Sequence, residues 1–356
     1  MARNYSYDSR ADALLHPAAG LGAEDFFQDW SAADVADLPL LCAELSRLAY
    51  GKEERVRSAL PRMGLQLLGW IGGEGLDERI ATWGSDAMIA GRDDGLTLVV
   101  FRGTEADKIE DLLTDLRTLP EPWRYGAKVH RGFAAAYAAI QPQLATALAG
   151  RDGPMAFAGH SLGAALATLA AADWRERNPQ LFTYGSPRVG DTGLAKHLAG
   201  LAVARHVDCC DVVTRVPPER FDRAHIDALL GTFVGHGLAT EALAGALANL
   251  LELMAGDTTF VHVGPARYID RHGTLRTDHP DDAAIDADQS QARAEYPVPQ
   301  GAATAIPPAE LALHPLDSFR QIIANGMLPT ATRVPLRDLA DHAPINYLSP
   351  LARRPG

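Results

Sequence analysis

MAFAGHSLGAALATLAA, residues 155–171, sets a serine between two kinds of sequence. Met155 to Ala158 is a short apolar run of the kind that forms a buried strand, and Leu162 to Arg175 is an alanine-rich segment that reads as a helix. Gly159-His160-Ser161-Leu162-Gly163 joins them. A strand that turns into a helix over so few residues strains its tip residue and leaves no room beside it, so glycines belong where a Cβ would strike the adjoining strand or helix. The spacing predicts Ser161 at that tip, with Oγ presented toward solvent as a candidate nucleophile. A helix beginning at Leu162 aims free N–H groups and the positive end of its dipole at the same point, so Leu162 N–H is a candidate donor to a developing oxyanion. His160 is adjacent, but neighbouring side chains on such a turn point apart, which argues against it as the base.

Working outward, Leu181 to Tyr184 and Ala202 to Cys210 read as further strands separated by the helix-compatible Thr192 to Leu201, and this β-α-β rhythm favours a parallel sheet. Upstream, Phe133 to Leu148 reads as a helix. Ile80 to Ile89 and Leu96 to Phe101 read as a hairpin turning at Asp93-Asp94-Gly95. Ala32 to Tyr50 carries apolar residues at helical spacing, and Leu65 to Ile71 reads as a buried strand. Phe260 to Val263 and Ala266 to Asp270 are candidate strands, and Tyr296 to Pro308 is a candidate loop. The fold class expected is α/β, and no internal repeat is visible.

The 356 residues, 47% hydrophobic and 22% charged, allow a large buried core. A formal net charge of −12 argues against nucleic acid, whose phosphates require clustered cations, and against a strongly anionic membrane. Cys42, Cys209 and Cys210 have neither a metal-ligand spacing nor the even, dispersed count of a disulfide scaffold, so a reducing compartment is expected. No signal peptide is visible at the N-terminus, which points to the cytoplasm, although a processed secreted form is compatible with the sequence. Ile226 to Ala255 is apolar but broken by Glu241 and Glu252, and reads as a helical insertion rather than a membrane span.

Several motifs together resemble the class 3 lipase family, which includes the fungal triacylglycerol lipases. Besides the GHSLG segment, FRGTE at Phe101 to Glu105, VHRGF at Val129 to Phe133 and TYGSPRVGD at Thr183 to Asp191 are similar to family blocks and occur in the family's order. The resemblance covers roughly Leu41 to Leu348. It implies an α/β-hydrolase fold, with a mixed, mostly parallel central sheet flanked by helices, and ester hydrolysis without metal or cofactor. Carried over to this chain, it makes Thr104 the second oxyanion donor. The plainer alternative is that Thr104 caps a helix beginning near Asp107. His130 falls on a position the family uses structurally.

A serine hydroxyl needs a positioned imidazole, and that imidazole needs a carboxylate to hold its tautomer and stabilise its charge. In this fold the chain order is serine, acid, histidine. The segment DVVTRVPP follows a strand, and the family pattern puts the catalytic acid at Asp211 rather than at the rival Asp208. Seven histidines follow. The resemblance favours His342, in LADHAPINYL, where a histidine precedes an aromatic near the C-terminus. His314 is its competitor, and His262 matches a non-catalytic family position.

The whole chain, 1–356, is expected to form one hydrolase domain, with an apolar helical insertion at 222–257 lying between acid and base. That insertion reads equally as a cap over the site or as a core helix, and 104–126 reads as a lid region whose apolar residues Ile109, Leu112, Leu113, Leu116 and Leu119 share a face. The expected partner is a lipid or small ester, met at a transient lipid–water interface. The oligomeric state is not legible. A phospholipase A1-type acyl hydrolase and a catalytically silent lipid-binding module are the alternatives.

Overall fold

The computed structural model describes residues 30–72, 86–104, 120–219, 258–278, 280, 282–295 and 341–352. The insertion at 222–257, most of the lid region, the loop at 296–308 and His314 lie outside the described residues.

Two helices open the described chain, α1 (Ala32–Ala36) and α2 (Leu38–Leu48). The single helix predicted for Ala32 to Tyr50 is thus divided. Asp37 ends the first helix and caps the second, its side chain accepting from Leu40 N–H, and Pro39 sits in the first turn of α2, where its missing N–H costs no hydrogen bond. A third helix, α3 (Glu53–Ala59), follows.

The described residues after α3 include eleven strands, in chain order β1 (Leu65–Ile71), β2 (Ala87–Arg92), β3 (Thr97–Phe101), β4 (Pro120–Pro122), β5 (Lys128–His130), β6 (Met155–His160), β7 (Gln180–Tyr184), β8 (Gly190–Asp191), β9 (Val203–Asp208), β10 (Phe260–Val261) and β11 (Ala266–Ile269). Seven of them form the central sheet, in the order β1-β2-β3-β6-β7-β9-β11. The first two pairings are antiparallel, including the predicted hairpin at Asp93 to Gly95, and every pairing from β3 to β11 is parallel. The others build a small antiparallel sheet, β10-β8-β5-β4.

The intervening helices are α4 (Arg131–Leu148), α5 (Leu162–Asp173) and α6 (Thr192–His197), with α7 (Asp282–Glu295) and α8 (Pro344–Ala352) toward the C-terminus. Parallel strands need crossovers, and α5 and α6 supply them between β6, β7 and β9. The strand β6 is buried along its whole length, as a central parallel strand covered on both faces must be. Every residue of α5 from Leu162 to Ala172 is buried as well, and its alanines let the helix lie close against β3, β6 and β7. Thr104, Ser161 and Asp211 all follow the C-terminal ends of parallel strands, the edge at which α/β sheets assemble their sites. Among the described residues, no helix is long and apolar enough to cross a membrane.

Candidate active site

Ser161 holds φ 59° and ψ −128°, a left-handed conformation for a residue that carries a Cβ. Strain of this kind costs on the order of 1–3 kcal/mol and persists only where the surroundings enforce it. Here the enforcement is visible. Ser161 N–H donates to Tyr184 O at 3.0 Å on β7, and Ser161 O accepts from Ala164 N–H at 3.0 Å, which starts α5. A Cβ on Gly159 would lie 2.2 Å from Gly163 O, and one on Gly163 would lie 2.2 Å from Phe101 O on β3. Both glycines are therefore required by contact of strand with helix and of helix with strand, as the spacing predicts.

The expectation that Oγ faces solvent fails. Ser161 is fully buried, as are Asp211 and His342, and Thr104 is 6% exposed. The physical reason is that the turn does not stand alone at the sheet edge: the segment carrying His342 packs over it. The ring of His160 lies 4.5 Å from that of His342, and its Nε2 meets His342 O at 2.7 Å.

Asp211 lies three residues beyond β9 and caps the 3-10 turn Val212–Arg215, its Oδ1 accepting from Val213 N–H at 2.8 Å. Its other oxygen, Oδ2, accepts from His342 Nδ1 at 2.8 Å and from the Tyr347 hydroxyl at 2.5 Å. A carboxylate only accepts, so Nδ1 carries the imidazole proton and Nε2 presents its lone pair. The rival Asp208 turns elsewhere: its Oδ1 accepts from Cys209 N–H.

Gly185, with φ +59°, follows Tyr184 and lies under this pair. A Cβ there would come within 2.7 Å of Asp211 Oδ2 and 3.0 Å of His342 Nδ1. The serine and the acid–histidine pair thus converge on neighbouring residues of one strand end. Thr104 enters from β3: Gly103 passes so close that a Cβ on it would lie 2.6 Å from His160 O, directly before the serine.

Buried polar atoms are nearly always hydrogen-bonded, and exceptions mark places built for something else. Ser161 Oγ, His342 Nε2 and Thr104 Oγ1 are buried and have no hydrogen-bond partner among the described residues. These are one hydroxyl awaiting a base, one imidazole lone pair and one hydroxyl donor. The arrangement can take a proton from Ser161 and offer donors to a negative oxygen.

Two supporting groups were not legible in the sequence. Tyr347, on α8, fixes Asp211, and it also accepts from Asp208 N–H at 3.1 Å. Burial first and the Asp211 charge next push its acidity well below that of an ordinary phenol, so it stays protonated and donates. An aromatic after His342 was the available signal, without its role. His160 braces the segment that carries the base. A backbone carbonyl only accepts, so Nε2–H donates to His342 O and Nδ1 accepts from the Tyr50 hydroxyl at 2.7 Å. Burial, and then the neighbouring His342, hold His160 well below the usual histidine range. Of the remaining histidines, His130 is buried against Phe133, at 4.4 Å between rings, and His262 Nε2 meets Thr214 O at 2.8 Å.

A family profile described as "Lipase (class 3)" matches residues 98–221, which include Thr104, Ser161 and Asp211. A lipase of Rhizomucor miehei is 34% identical over 168 residues, covering 41% of this chain and 46% of its own. A lipase of Rhizopus niveus is 35% identical over 146 residues, covering 36% of each chain. The matched region is thus less than half the length of either relative. The solved Rhizomucor miehei lipase propeptide complex shares 23% identity over 68% of this chain and 70% of that one, with a TM-score of 0.47. The mostly parallel sheet and the strand–serine–helix turn are those of the α/β-hydrolase fold. Over residues 98–221, about a third of its length, this chain is similar to the class 3 lipase family.

Proposed function

We propose that the chain is a serine hydrolase that cleaves carboxylic esters of lipids, acylglycerols first among them. The observation that carries this reading is the pairing of Asp211 with His342 Nδ1 at 2.8 Å, which leaves Nε2 free to act as a base, while the Ser161 hydroxyl is likewise buried with no hydrogen-bond partner among the described residues. His342 Nε2 takes the Ser161 proton as Oγ attacks the ester carbonyl. Asp211 holds the imidazole tautomer and stabilises its positive charge. The oxyanion of the tetrahedral intermediate meets Leu162 N–H and the Thr104 donors. Collapse passes the proton to the leaving alcohol, and water activated by His342 then cleaves the acyl-enzyme.

In its support, Leu162 is the first residue of α5, and the first N–H groups of a helix have no intrahelical acceptor. The Thr104 hydroxyl is buried and has no hydrogen-bond partner among the described residues, which leaves it available as a donor. Lipid esters are favoured because the relatives sharing residues around the site are named lipases. The buried nucleophile accords with a site that opens at a lipid–water interface.

The test is hydrolysis of p-nitrophenyl esters and of emulsified acylglycerols and phospholipids, with a fluorophosphonate probe run in parallel. Covalent labelling of Ser161 together with ester turnover is the expected result. A folded protein that neither labels nor turns over any ester would overturn the reading and favour a silent lipid-binding module.

A further inference from the structure

Directly before the acid and directly before the histidine of the proposed pair lie three residues that the mechanism does not use. Cys209 and Cys210 precede Asp211, and Asp341 precedes His342. All three are buried. The Cys209 and Cys210 sulfurs stand 3.4 Å apart, and Cys210 N–H donates to Asp341 Oδ2 at 3.1 Å, bridging segments 131 residues apart. One ligand atom from each of the three residues lies within 4.8 Å of the others. Adjacent residues on an extended chain point to opposite faces, so two neighbouring sulfurs in contact require the tight turn that follows β9.

We propose that Cys209, Cys210 and Asp341 form a binding site for a thiophilic divalent cation of the zinc and cadmium class. Two thiolates with one carboxylate are a donor set for a borderline-soft ion, whereas calcium and magnesium take oxygen ligands. The geometry is near the required one. Two sulfurs about 2.3 Å from a tetrahedral zinc stand roughly 3.8 Å apart, so the present contact must open by only about 0.4 Å. Binding exchanges the two thiol protons for two metal–sulfur bonds and releases both protons to solvent, with no change of oxidation state. A water can complete the tetrahedron. The ion would clamp the segment bearing Asp211 to the segment bearing His342.

Cadmium titration of the reduced, metal-free full chain tests this. One equivalent is expected to produce the ultraviolet sulfur-to-cadmium charge-transfer band, to be displaced by zinc, and to raise Tm by roughly 3–4 °C when the ion is near a hundredfold its Kd. The band should persist in Cys42→Ala, whose single buried thiol lies elsewhere, and should be lost in Cys209→Ser and in Cys210→Ser. Asp341→Asn should keep the band with affinity weakened at least tenfold. No band in the parent protein, or a band that survives loss of either vicinal cysteine, would overturn the proposal. Neither readout depends on ester hydrolysis.

Discussion

Tyr347 donates its phenolic hydrogen to Asp211 Oδ2 at 2.5 Å, the same oxygen that receives His342 Nδ1 at 2.8 Å. One carboxylate oxygen thus answers to two donors on the C-terminal segment, and the phenol fixes where the imidazole can sit.

Tyr347→Phe removes one charge-assisted hydrogen bond and little volume. Such bonds contribute about 1.5–3 kcal/mol. The expected result is a stability loss of that order by urea unfolding and a fall in kcat of roughly tenfold with KM nearly unchanged. Parent-like kcat would show that Asp211 is positioned without it.

For the nucleophile, Ser161→Ala should lower kcat by roughly 10⁴-fold or more, as loss of a nucleophile does in triad enzymes. Thr104→Val, which removes only the unpartnered hydroxyl, should lower it by about 10²-fold, within the range for an oxyanion donor, and Thr104→Ser should restore most of the activity. If valine were tolerated, Thr104 would contribute through its backbone alone.

Gly185 offers a steric test of the acid–histidine pair. Its Cα faces Asp211 and His342 too closely for a methyl group, and its φ of +59° disfavours any side chain. Gly185→Ala should destabilise by about 1–2 kcal/mol and reduce kcat by roughly 10²-fold, because small displacements of reacting groups are costly. Steady-state kinetics on protein with native circular dichroism would decide it, and unchanged kcat would contradict the contact.

Acid stability should report His160. Its folded-state affinity for a proton is held down by burial, whereas an unfolded histidine titrates near 6.5. Above that pH both states are neutral and stability is full. As pH falls through about 6.5, the unfolded chain takes up the proton first and stability is lost at about 1.4 kcal/mol per pH unit for each such group. His262 is held down likewise, by burial and then by Arg205 and Arg188. In urea unfolding between about pH 6.5 and 5, His160→Gln should show a slope smaller by one proton than the parent. Parallel slopes would mean that His160 is protonated in the folded protein.

The sequence by itself determined the local elements and the turn. Apolar runs bounded by glycines specify β6 and its neighbours, and Gly159 and Gly163 specify a strand–helix junction, because these depend on contacts a few residues apart. It also pointed to Asp211 and His342, through motifs whose members lie far apart along the chain. Local patterning did not reveal the break at Asp37, since helical periodicity passes through it and only the cap on Leu40 marks it. Tertiary structure alone decided the burial of Ser161, the bracing of His342 by His160 and Tyr50, the hold of Tyr347 on Asp211, and the meeting of Cys209, Cys210 and Asp341. Each of these joins residues more than 100 positions apart, except neighbours placed side by side by a turn, and nothing in their spacing encodes the distance between them.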